Sequence, residues 1–499
     1  MKRMKLSDVA RMCGGRLAGA DAMVDAVATD TRALPHGDGV LFIALKGANF
    51  DGHDHVAAAA GSGVAAALVS RQLEVGLPQV LVADTERALA VFAAAVQRER
   101  AGKVTAITGS NGKTTVKSLL QAILQFAGTT YATPGNRNNE IGLPLAVLDA
   151  PEDAEFSIYE MGTGKPGDIA YLTAVVRPDA ALVNNVAPAH LERMGSLLSV
   201  ADTKAAVYDA LPPRGVAVIN ADDAFAPFFA ERAHGRRLLR FGLEATADIT
   251  ARDIAATADG TRFTLVCEQG EAPIELALAG RHNVSNALAA AGLALGLGVG
   301  LDAVTRGLSS AVPVAGRLAS HDLGSGVVLV DDSYNANPGS LAAAIDTLAQ
   351  ANAEGWLVLG DMRELGPDGE AMHAEAGRRA KAAGIKRLFA LGPLSAAAAE
   401  AFGEGGRKFE SHDALIAALR EALALVPQGD FLRGVGGASA PVGNRLSIGA
   451  EAPPTEAGDN GAAVRVLVKG SRGSAMDRIV AALLPAQGPK GQEGDTDAA

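Results

Sequence analysis

The stretch TGSNGKTT, residues 108–115, decides the fold class that the rest of the chain is expected to follow. It comes directly after an apolar segment, residues 104–107, whose composition predicts a buried strand. Apolar side chains then recur at helical spacing, at Val116, Leu119, Leu120, Ile123 and Leu124. A strand, a glycine-rich turn and a helix in this order predict a loop that holds a phosphate group.

The residue types within this loop suit phosphate binding. Gly109 and Gly112 allow the backbone to approach an anion closely, and the start of the following helix presents N–H groups to it. Lys113 would place a positive charge on the β- and γ-phosphates, and the Thr114 hydroxyl would be a ligand of Mg²⁺. The general pattern has a glycine where Ile107 stands, so this loop is a shortened variant. A chance occurrence of the pattern is the alternative interpretation.

Length and composition narrow the class of protein. The 499 residues predict about three domains. The chain is 48% apolar and 20% charged, and it has no apolar run long enough to span a membrane. Its basic N-terminus has no apolar run behind it, so we expect no signal peptide. The two cysteines, Cys13 and Cys267, are too few for a disulfide framework or a thiolate metal site. A net charge of -11 argues against bulk nucleic-acid binding and leaves small anionic substrates to local basic sites. We expect a cytoplasmic, monomeric enzyme that acts on small molecules.

The predicted fold class is α/β, with three domains. Residues 1–98 form a small domain in which short β-like segments alternate with alanine-rich helices, and residues 99–315 contain the phosphate loop and a mostly parallel sheet. Residues 316–499 contain the strands of a Rossmann-like sheet, without the Gly-x-Gly-x-x-Gly pattern of a dinucleotide cofactor. The segments 429–463 and 485–499 show little hydrophobic periodicity and are predicted to be a mobile insertion and a mobile tail.

Three polar places in the central domain are candidate ligand sites. The loop TPGNRNNE, residues 133–140, includes Asn138 and Asn139 and suits a polar ligand, with a solvated turn as the alternative. Glu160 ends a predicted strand, where a second Mg²⁺ ligand belongs, although a surface glutamate would give the same pattern. Asn286 lies at the start of an alanine-rich helix, where polar groups suit a base or ribose.

Two further residues of the central domain have ordinary structural interpretations when each is considered alone. His190 follows a predicted buried strand, residues 180–186, and a structural histidine would fit there equally well. Lys204 lies in a helical segment, where a solvated surface lysine is the ordinary expectation.

The outer domains also contain polar loops of open function. In the first domain, Thr31, Arg32 and Lys46 suit substrate contacts, or serve equally as turn formers and caps. In the last domain the segment DDSYNANP, residues 331–338, follows a predicted strand, where a ligand loop is expected. The segment VLVKGSRG, residues 466–473, predicts the final strand and a loop for which a basic edge turn is the alternative.

Seven segments of the chain occur in the order that is typical of one enzyme family. On these motifs the chain resembles the ATP-dependent Mur ligases of peptidoglycan synthesis, over residues 1–425 and again over 464–484. The shortened phosphate loop is the form that this family carries. The motifs are TGSNGKTT, GNRNNEIGLP, YEMGTGKPGDI, NVAPAHLERMGS, DTKAAV, GRHNVSNALAAAG and DDSYNANPGS.

The resemblance implies an activity and a set of ligands. The activity is ATP-dependent addition of D-alanyl-D-alanine to a UDP-N-acetylmuramoyl tripeptide through an acyl phosphate. The implied cofactors are ATP and two Mg²⁺ ions. Thr114 and Glu160 would bind one ion, while His190 and Lys204 would serve the other, with Lys204 converted by CO₂ to a carbamate. Lys113, His190 and Lys204 would be the catalytic residues.

The resemblance also implies ligand contacts for the remaining motif residues. The ATP contacts would come from Gly109, Ser110, Asn111, Gly112, Lys113, Thr114, Thr115, Asn286, Arg317 and Asp332. The substrate contacts would come from Thr31, Arg32 and Lys46 for the uridine diphosphate end, from Asn138 and Asn139 for the muramoyl part, and from Tyr334, Asn335 and Asn337 for the dipeptide.

Two rival functions remain open at this point. A sibling ligase would add a diamino acid or glutamate, but the Asp-Asn-Pro-Arg motif typical of the diamino-acid enzyme is absent from this sequence. A GTP-dependent switch or binding module could use the same phosphate loop, but its Asn-Lys-x-Asp motif is also absent.

Overall fold

The computed structural model describes residues 1–47, 49–188, 191–257, 260–426 and 463–485. The predicted insertion and tail lie outside the described residues, apart from Ala463 and Pro485. The chain has two compact units: the first holds residues 1–256 and 260–312, and the second continues from Pro313. Helices and mostly parallel sheets alternate in both units, which confirms the α/β class. The division into three domains stays a prediction.

The first unit begins with a five-stranded sheet and a separate two-stranded sheet. The five-stranded sheet has the order β2-β7-β6-β5-β4, in which β4 to β7 are parallel and β2 is antiparallel to β7, while β1 pairs with β3 in the two-stranded sheet. The strands are β1 (Met4–Lys5), β2 (Arg16–Ala18), β3 (Met23–Val24), β4 (Ala26–Ala28), β5 (Val40–Ile43), β6 (Ala66–Val69) and β7 (Gln79–Leu81). The helices are α1 (Leu6–Cys13), α2 (Val56–Gly61) and α3 (Thr85–Arg98).

The central sheet of the first unit contains six parallel strands and confirms the predicted parallel arrangement. Its order is β13-β12-β11-β8-β10-β9, so that β8 lies inside the sheet. The strands are β8 (Lys103–Thr108), β9 (Thr130–Ala132), β10 (Phe156–Glu160), β11 (Ala180–Val183), β12 (Val216–Asn220) and β13 (Arg237–Phe241). The helices are α4 (Lys113–Leu124), α5 (Gly142–Asp149), α6 (Asp168–Val176), α7 (Leu191–Met194), α8 (Leu197–Asp209) and α9 (Ala226–Arg232).

The apolar positions predicted for α4 are all buried, which explains why this helix forms here. Val116, Leu120 and Ile123 are fully buried in one core with side chains of α10 (Arg281–Gly296) and α11 (Leu301–Ser310). Gly307 of α11 lies so close to α4 that an added Cβ would be 2.3 Å from the Ile123 Cα. A small sheet of β14 (Thr250–Thr257), β15 (Gly260–Cys267) and β16 (Gly270–Leu276) shares this core. The core fixes the helix that follows the phosphate loop.

The second unit has a six-stranded sheet of order β17-β18-β22-β19-β20-β21. Only the edge strand β17 is antiparallel to its neighbour, as expected for a Rossmann-like sheet, and the last strand lies between β18 and β19. The strands are β17 (Ala319–Gly324), β18 (Val327–Asp332), β19 (Glu354–Gly360), β20 (Arg387–Leu391), β21 (Gly406–Phe409) and β22 (Val464–Lys469). The helices are α12 (Pro338–Ala349), α13 (Gly369–Ala382), α14 (Ser395–Phe402), α15 (His412–Ala424) and α16 (Asp477–Leu483). Among the described residues of both units, every helix is too short or too polar to cross a membrane.

Candidate active site

The register of the central sheet brings three predicted site segments together. Strands β10 and β11 flank β8, with Glu160 opposite Ile107 and Val183 opposite Thr108. The loops that leave the carboxyl ends of these parallel strands therefore emerge at one edge, on both sides of the phosphate loop. Glu160 lies on one side, and Asn184, which follows β11, lies on the other.

The phosphate loop has a backbone conformation that requires glycine. Gly112 has φ 78° and immediately precedes α4. A Cβ at Gly112 would lie 2.4 Å from the Asn286 Oδ1 and 2.5 Å from the Asn184 Nδ2. Both the left-handed φ and the contact distances exclude a larger residue without local rearrangement. The start of α4 is thus held against two buried amide side chains.

These amides form a network that fixes the loop. The Asn184 Nδ2 donates to the Asn111 carbonyl at 3.0 Å and to the Asn286 Oδ1 at 2.9 Å. The Asn111 N–H donates to the Asn185 Oδ1 at 2.8 Å, and the Ser110 hydroxyl donates to the Ala187 carbonyl at 3.1 Å. Neither Asn184 nor Asn185 was predicted as a site residue, because asparagines at the end of a strand have no distinctive sequence signal.

Asn286 lies against Gly112 of the phosphate loop, and its Oδ1 accepts from the Asn184 Nδ2. It is buried, and its Nδ2 donates to the Asn283 Oδ1 at 3.1 Å. The predicted contact with adenine stays a prediction. The Oδ1 of Asn184 is buried without a hydrogen-bond partner among the described residues. An acceptor of this kind beside a phosphate loop suits a ligand that brings its own donor or cation.

Lys113 closes the phosphate loop. Its Nζ donates to the Gly109 carbonyl at 2.7 Å and to the Ser110 carbonyl at 3.3 Å. The ammonium group is therefore held over the loop that it would serve, rather than extended into solvent. Thr115 follows in the first turn of α4 with its side chain half-buried.

The two residues predicted to bind one Mg²⁺ ion lie in direct contact. The Thr114 Oγ1 donates to the Glu160 Oε2 at 2.9 Å, and the Asn138 Nδ2 donates to the Glu160 Oε1 at 3.0 Å. Glu160 is only 3% exposed, so the alternative of a surface glutamate is wrong. Asn139, in contrast, is exposed and accepts from the Gly142 N–H at 2.8 Å, where it fixes the turn before α5.

A buried lysine that the sequence did not single out completes this part of the site. The Nζ of Lys117 lies 3.2 Å from the Glu160 Oε2 and donates to the carbonyls of Thr133 at 2.9 Å and Gly135 at 3.1 Å. Its side chain is 7% exposed and that of Glu160 is 4% exposed. Lys117 thus joins the carboxylate to the start of the loop that carries Asn138. A lysine one turn after Lys113 looks like an ordinary surface residue in the sequence.

Lys117→Met is expected to lower the free energy of unfolding by about 3–5 kcal/mol, because it removes the Lys117 ammonium from beside the buried Glu160 carboxylate. Adding Glu160→Gln to that variant should recover most of the loss, since no buried charge then remains. Urea unfolding of both variants measures this coupling. Lys408→Met, which removes the exposed Lys408–Glu400 pair, is the matched control and should cost no more than about 1 kcal/mol. Equal losses of unfolding free energy in Lys117→Met and Lys408→Met would contradict the prediction.

Lys204 is buried, so its interpretation as a solvated helix residue is wrong. It lies in α8 with 2% of its surface exposed. Burial lowers the pKa of Lys204 well below its usual value, and the positive charge of Lys113 lowers it further. A buried amine that loses its proton readily is the form that can add CO₂. His190, the residue predicted to act with Lys204, lies outside the described residues.

The donor set of this site suits Mg²⁺ in part. The Thr114 hydroxyl and the Glu160 carboxylate are adjacent hard oxygen donors, which Mg²⁺ prefers. Within the described parts of the chain, His, Cys, Asp and Glu residues form no group of three or more that could hold a metal ion. Any ion at Thr114 and Glu160 would therefore also need ligands of other types, such as phosphate oxygens or water.

In the N-terminal sheet, the predicted substrate residues lie at one edge. Thr31 and Arg32 follow β4, and Lys46 follows the parallel neighbour β5. Arg32 is exposed and paired with Asp30, and its hydrogen bonds lower the pKa of Asp30 to about 2. The same edge carries the buried His53, whose Nδ1 lies 2.6 Å from the Asp51 Oδ1.

In the second unit, most of the predicted ligand residues in the loop 331–338 already contact other residues of the chain. Asp332 pairs with Lys469 of β22, yet burial still raises the pKa of that carboxyl. The Asn337 Oδ1 accepts from the Ser340 N–H at 2.9 Å as the N-cap of α12. Asn335 is exposed, and the Tyr334 ring lies under the guanidinium of Arg317, 4.4 Å from its Cζ. The ligand roles of these five residues stay predictions.

A glycine-dependent phosphate loop with an adjacent buried carboxylate and a buried, easily deprotonated lysine defines a nucleotide-binding enzyme of the phosphate-loop class. The sequence matches the family model of the Mur ligase middle domain over residues 107–294 and that of the Mur ligase glutamate ligase domain over residues 316–436. The chain belongs to the Mur ligase family.

Individual relatives support this assignment along nearly the whole chain. The chain is 40% identical to the UDP-N-acetylmuramoyl-tripeptide–D-alanyl-D-alanine ligase of Escherichia coli K12, over 97% of this chain and 99% of that protein. It is 35% identical to the enzyme of the same name from Bacillus subtilis, over 80% of this chain and 88% of that protein. These relatives confirm the family predicted from the motifs.

Two solved structures share the fold. The crystal structure of MurF from Acinetobacter baumannii gives a TM-score of 0.85 at 29% identity, covering 97% of this chain and 99% of that one. MurF from Thermotoga maritima in complex with ADP gives a TM-score of 0.76 at 25% identity, covering 92% of this chain and 97% of that chain. The fold of the described residues is thus that of a ligase structure determined with bound ADP.

Proposed function

We propose that this chain is an ATP-dependent ligase that joins D-alanyl-D-alanine to a UDP-N-acetylmuramoyl tripeptide. The observation that carries the proposal is the similarity to the Escherichia coli ligase of that name, which extends over 97% of this chain. The contact between Thr114 and Glu160 beside the phosphate loop supports it from the geometry. We place the enzyme in the cytoplasm as a monomer, as the sequence predicts.

The phosphate loop and Lys113 are the proposed site of the ATP phosphates. The start of α4 offers backbone N–H groups and the positive end of the helix dipole to an anion. The Lys113 Nζ lies next to this position and would turn from the Gly109 and Ser110 carbonyls toward the phosphates. Its charge would then offset the charge that develops on the transferred phosphoryl group.

Thr114 and Glu160 are the proposed ligands of one Mg²⁺ ion, while Lys204, as a carbamate, and His190 are proposed to serve a second. Bound ions would reduce the repulsion between the substrate carboxylate and the triphosphate. Lys117 and Asn138 would keep the Glu160 carboxylate oriented toward Thr114. The edge residues Thr31, Arg32 and Lys46 remain the proposed contacts of the uridine diphosphate end.

The proposed reaction has two steps. An oxygen of the terminal carboxylate of the tripeptide attacks the γ-phosphorus of ATP, and the bond from that phosphorus to the ADP oxygen breaks, giving an acyl phosphate. The amine of D-alanyl-D-alanine then attacks the acyl carbon through a tetrahedral intermediate. Phosphate leaves with the electron pair of the broken C–O bond, and the amine nitrogen loses a proton as the amide forms.

D-Alanyl-D-alanine is expected to support ATP turnover with a UDP-muramoyl tripeptide, whereas free D-alanine, L-lysine and diaminopimelate are not. The reason is that a site built to pair the polar groups of a dipeptide leaves them unpaired with a smaller partner, and such sites discriminate by about 10⁴-fold. Phosphate release measured with each pair of nucleotide peptide and amine tests this. Turnover with diaminopimelate and a UDP-muramoyl dipeptide, and none with D-alanyl-D-alanine, would favour the sibling ligase.

A further inference from the structure

Two arginines of the second unit lie together at the carboxyl edge of its sheet. Arg363 follows β19 and Arg472 follows β22, and these strands are parallel neighbours. The Arg363 N–H donates to the Ser471 Oγ at 2.9 Å, which joins the two loops. The Arg363 Nη1 lies 2.8 Å from the position that a Cβ of Gly473 would take, so its guanidinium rests on the backbone next to Arg472.

Arg472 is held in place by Tyr334, a residue of the loop 331–338. Its Nη1 donates to the Tyr334 hydroxyl at 3.3 Å, and its Cζ lies 5.4 Å from the centre of the ring. Tyr334 therefore connects the arginine pair to the loop in which dipeptide contacts are predicted. A long, exposed side chain with such contacts is already ordered before a ligand arrives, which lowers the entropy lost on binding.

The charge of the arginine pair is not neutralised by a carboxylate among the described residues. In the described parts of the chain, no carboxylate lies within 4.0 Å of the guanidinium of Arg363 or Arg472, whereas Arg378 and Arg379 of α13 both have carboxylate partners. The nearby Asp331 carboxylate accepts from the Gly316 and Ser333 N–H groups, and Asp332 pairs with Lys469. Two arginines at one sheet edge without a carboxylate partner among those residues suit an anionic ligand.

We propose that Arg363 and Arg472 bind the terminal carboxylate of the incoming dipeptide, with Tyr334 holding Arg472 in position. The inference rests on the proposed function, which brings to the enzyme a dipeptide whose amine reacts and whose carboxylate remains charged. A planar guanidinium matches a carboxylate through paired N–H···O bonds. Both arginines are exposed at the edge where ligands of such sheets bind, so a small peptide can reach them.

D-Alanyl-D-alaninamide, which has the same amine and lacks the terminal charge, is the probe. With the wild-type enzyme, its KM should exceed that of D-alanyl-D-alanine by about 100-fold, because charge-assisted hydrogen bonds to a carboxylate are lost. Arg472→Gln and Arg363→Gln should each raise the KM for the dipeptide by about 10-fold or more and leave the KM for the amide unchanged. The KM values for ATP and the UDP-muramoyl tripeptide should not change.

Arg378→Gln is the matched control, since Arg378 is an exposed arginine of the same unit with its own partner, Glu375. It should leave all four KM values unchanged, and urea unfolding should show that each variant is folded. Equal KM values for dipeptide and amide with the wild type would overturn the inference and leave the proposed function intact. An increase in the KM for ATP alone in Arg472→Gln would assign the pair to phosphate and also overturn it. No turnover with either amine would overturn the proposed function, and the inference with it.

Discussion

Lys113→Ala is expected to lower ATP-dependent ligation by about 10³-fold or more, the size of effect seen when a cation that stabilises a transferring phosphoryl group is removed. The fold should survive, because the Lys113 side chain donates to the Gly109 and Ser110 carbonyls of the loop and is not among the described residues of the apolar core. Steady-state phosphate release measures the loss of activity, and urea unfolding measures the stability.

Lys408→Ala is the control for this experiment, since it removes an exposed lysine of the second unit that pairs with Glu400. Its activity should equal that of the wild type. Binding of ADP to the Lys113 variant should also weaken, which separates a defect in phosphate binding from a defect in the second substrate. Turnover by Lys113→Ala at the rate of the wild type would show that the loop 108–115 does not hold the transferred phosphate.

Lys204→Ala is expected to reduce ligation by about 10³-fold, since a ligand that helps to stabilise charge by several kcal/mol is lost. A small carboxylate such as formate should restore part of the activity if the missing group is a carbamate. Mass spectrometry after trapping with labelled CO₂ should find the label on Lys204 under conditions that support activity. Finding only the free amine there would exclude the carbamate.

The lowered pKa of Lys204 adds a stability measurement that does not depend on activity. In the folded protein without CO₂, burial disfavours the charged form of the Lys204 amine and lowers its pKa, whereas in the unfolded chain the amine has its usual pKa near 10.5. At neutral pH this difference favours unfolding, and it disappears as the pH rises toward 10.5. At pH 7 the free energy of unfolding of Lys204→Met should therefore exceed that of the wild type by about 1 kcal/mol, so the variant unfolds at a higher urea concentration. This gain should be smaller at higher pH.

The fold class and the phosphate loop could be predicted because their signals are local in sequence. An apolar strand, two glycines and a helix with regular apolar spacing specify the segment 104–124 without knowledge of its neighbours. The α/β class and the Mur ligase family predicted from such segments are confirmed. The burial of polar residues was harder to predict. Glu160, for example, gives the same sequence pattern whether it is buried or exposed.

The features that could not be predicted depend on packing between distant segments. Lys117 meets Glu160 only because β10 pairs with β8, and Lys204 is buried only because α8 packs within the first unit. Asn337 has a side chain that suits a ligand, and the structure shows it capping α12. Arg363 and Arg472 are more than a hundred residues apart and are brought together by the position of β22.

The position of β22 also determines when the second unit can be completed during synthesis. This strand follows the other five strands of its sheet in the chain, yet it pairs with β18 on one side and β19 on the other. Until it emerges, the nascent chain carries two partial sheets with open edges that invite wrong pairing. A chain that is terminated before residue 464 would therefore lack the strand that joins β18 to β19, and the sheet of its second unit could not be completed.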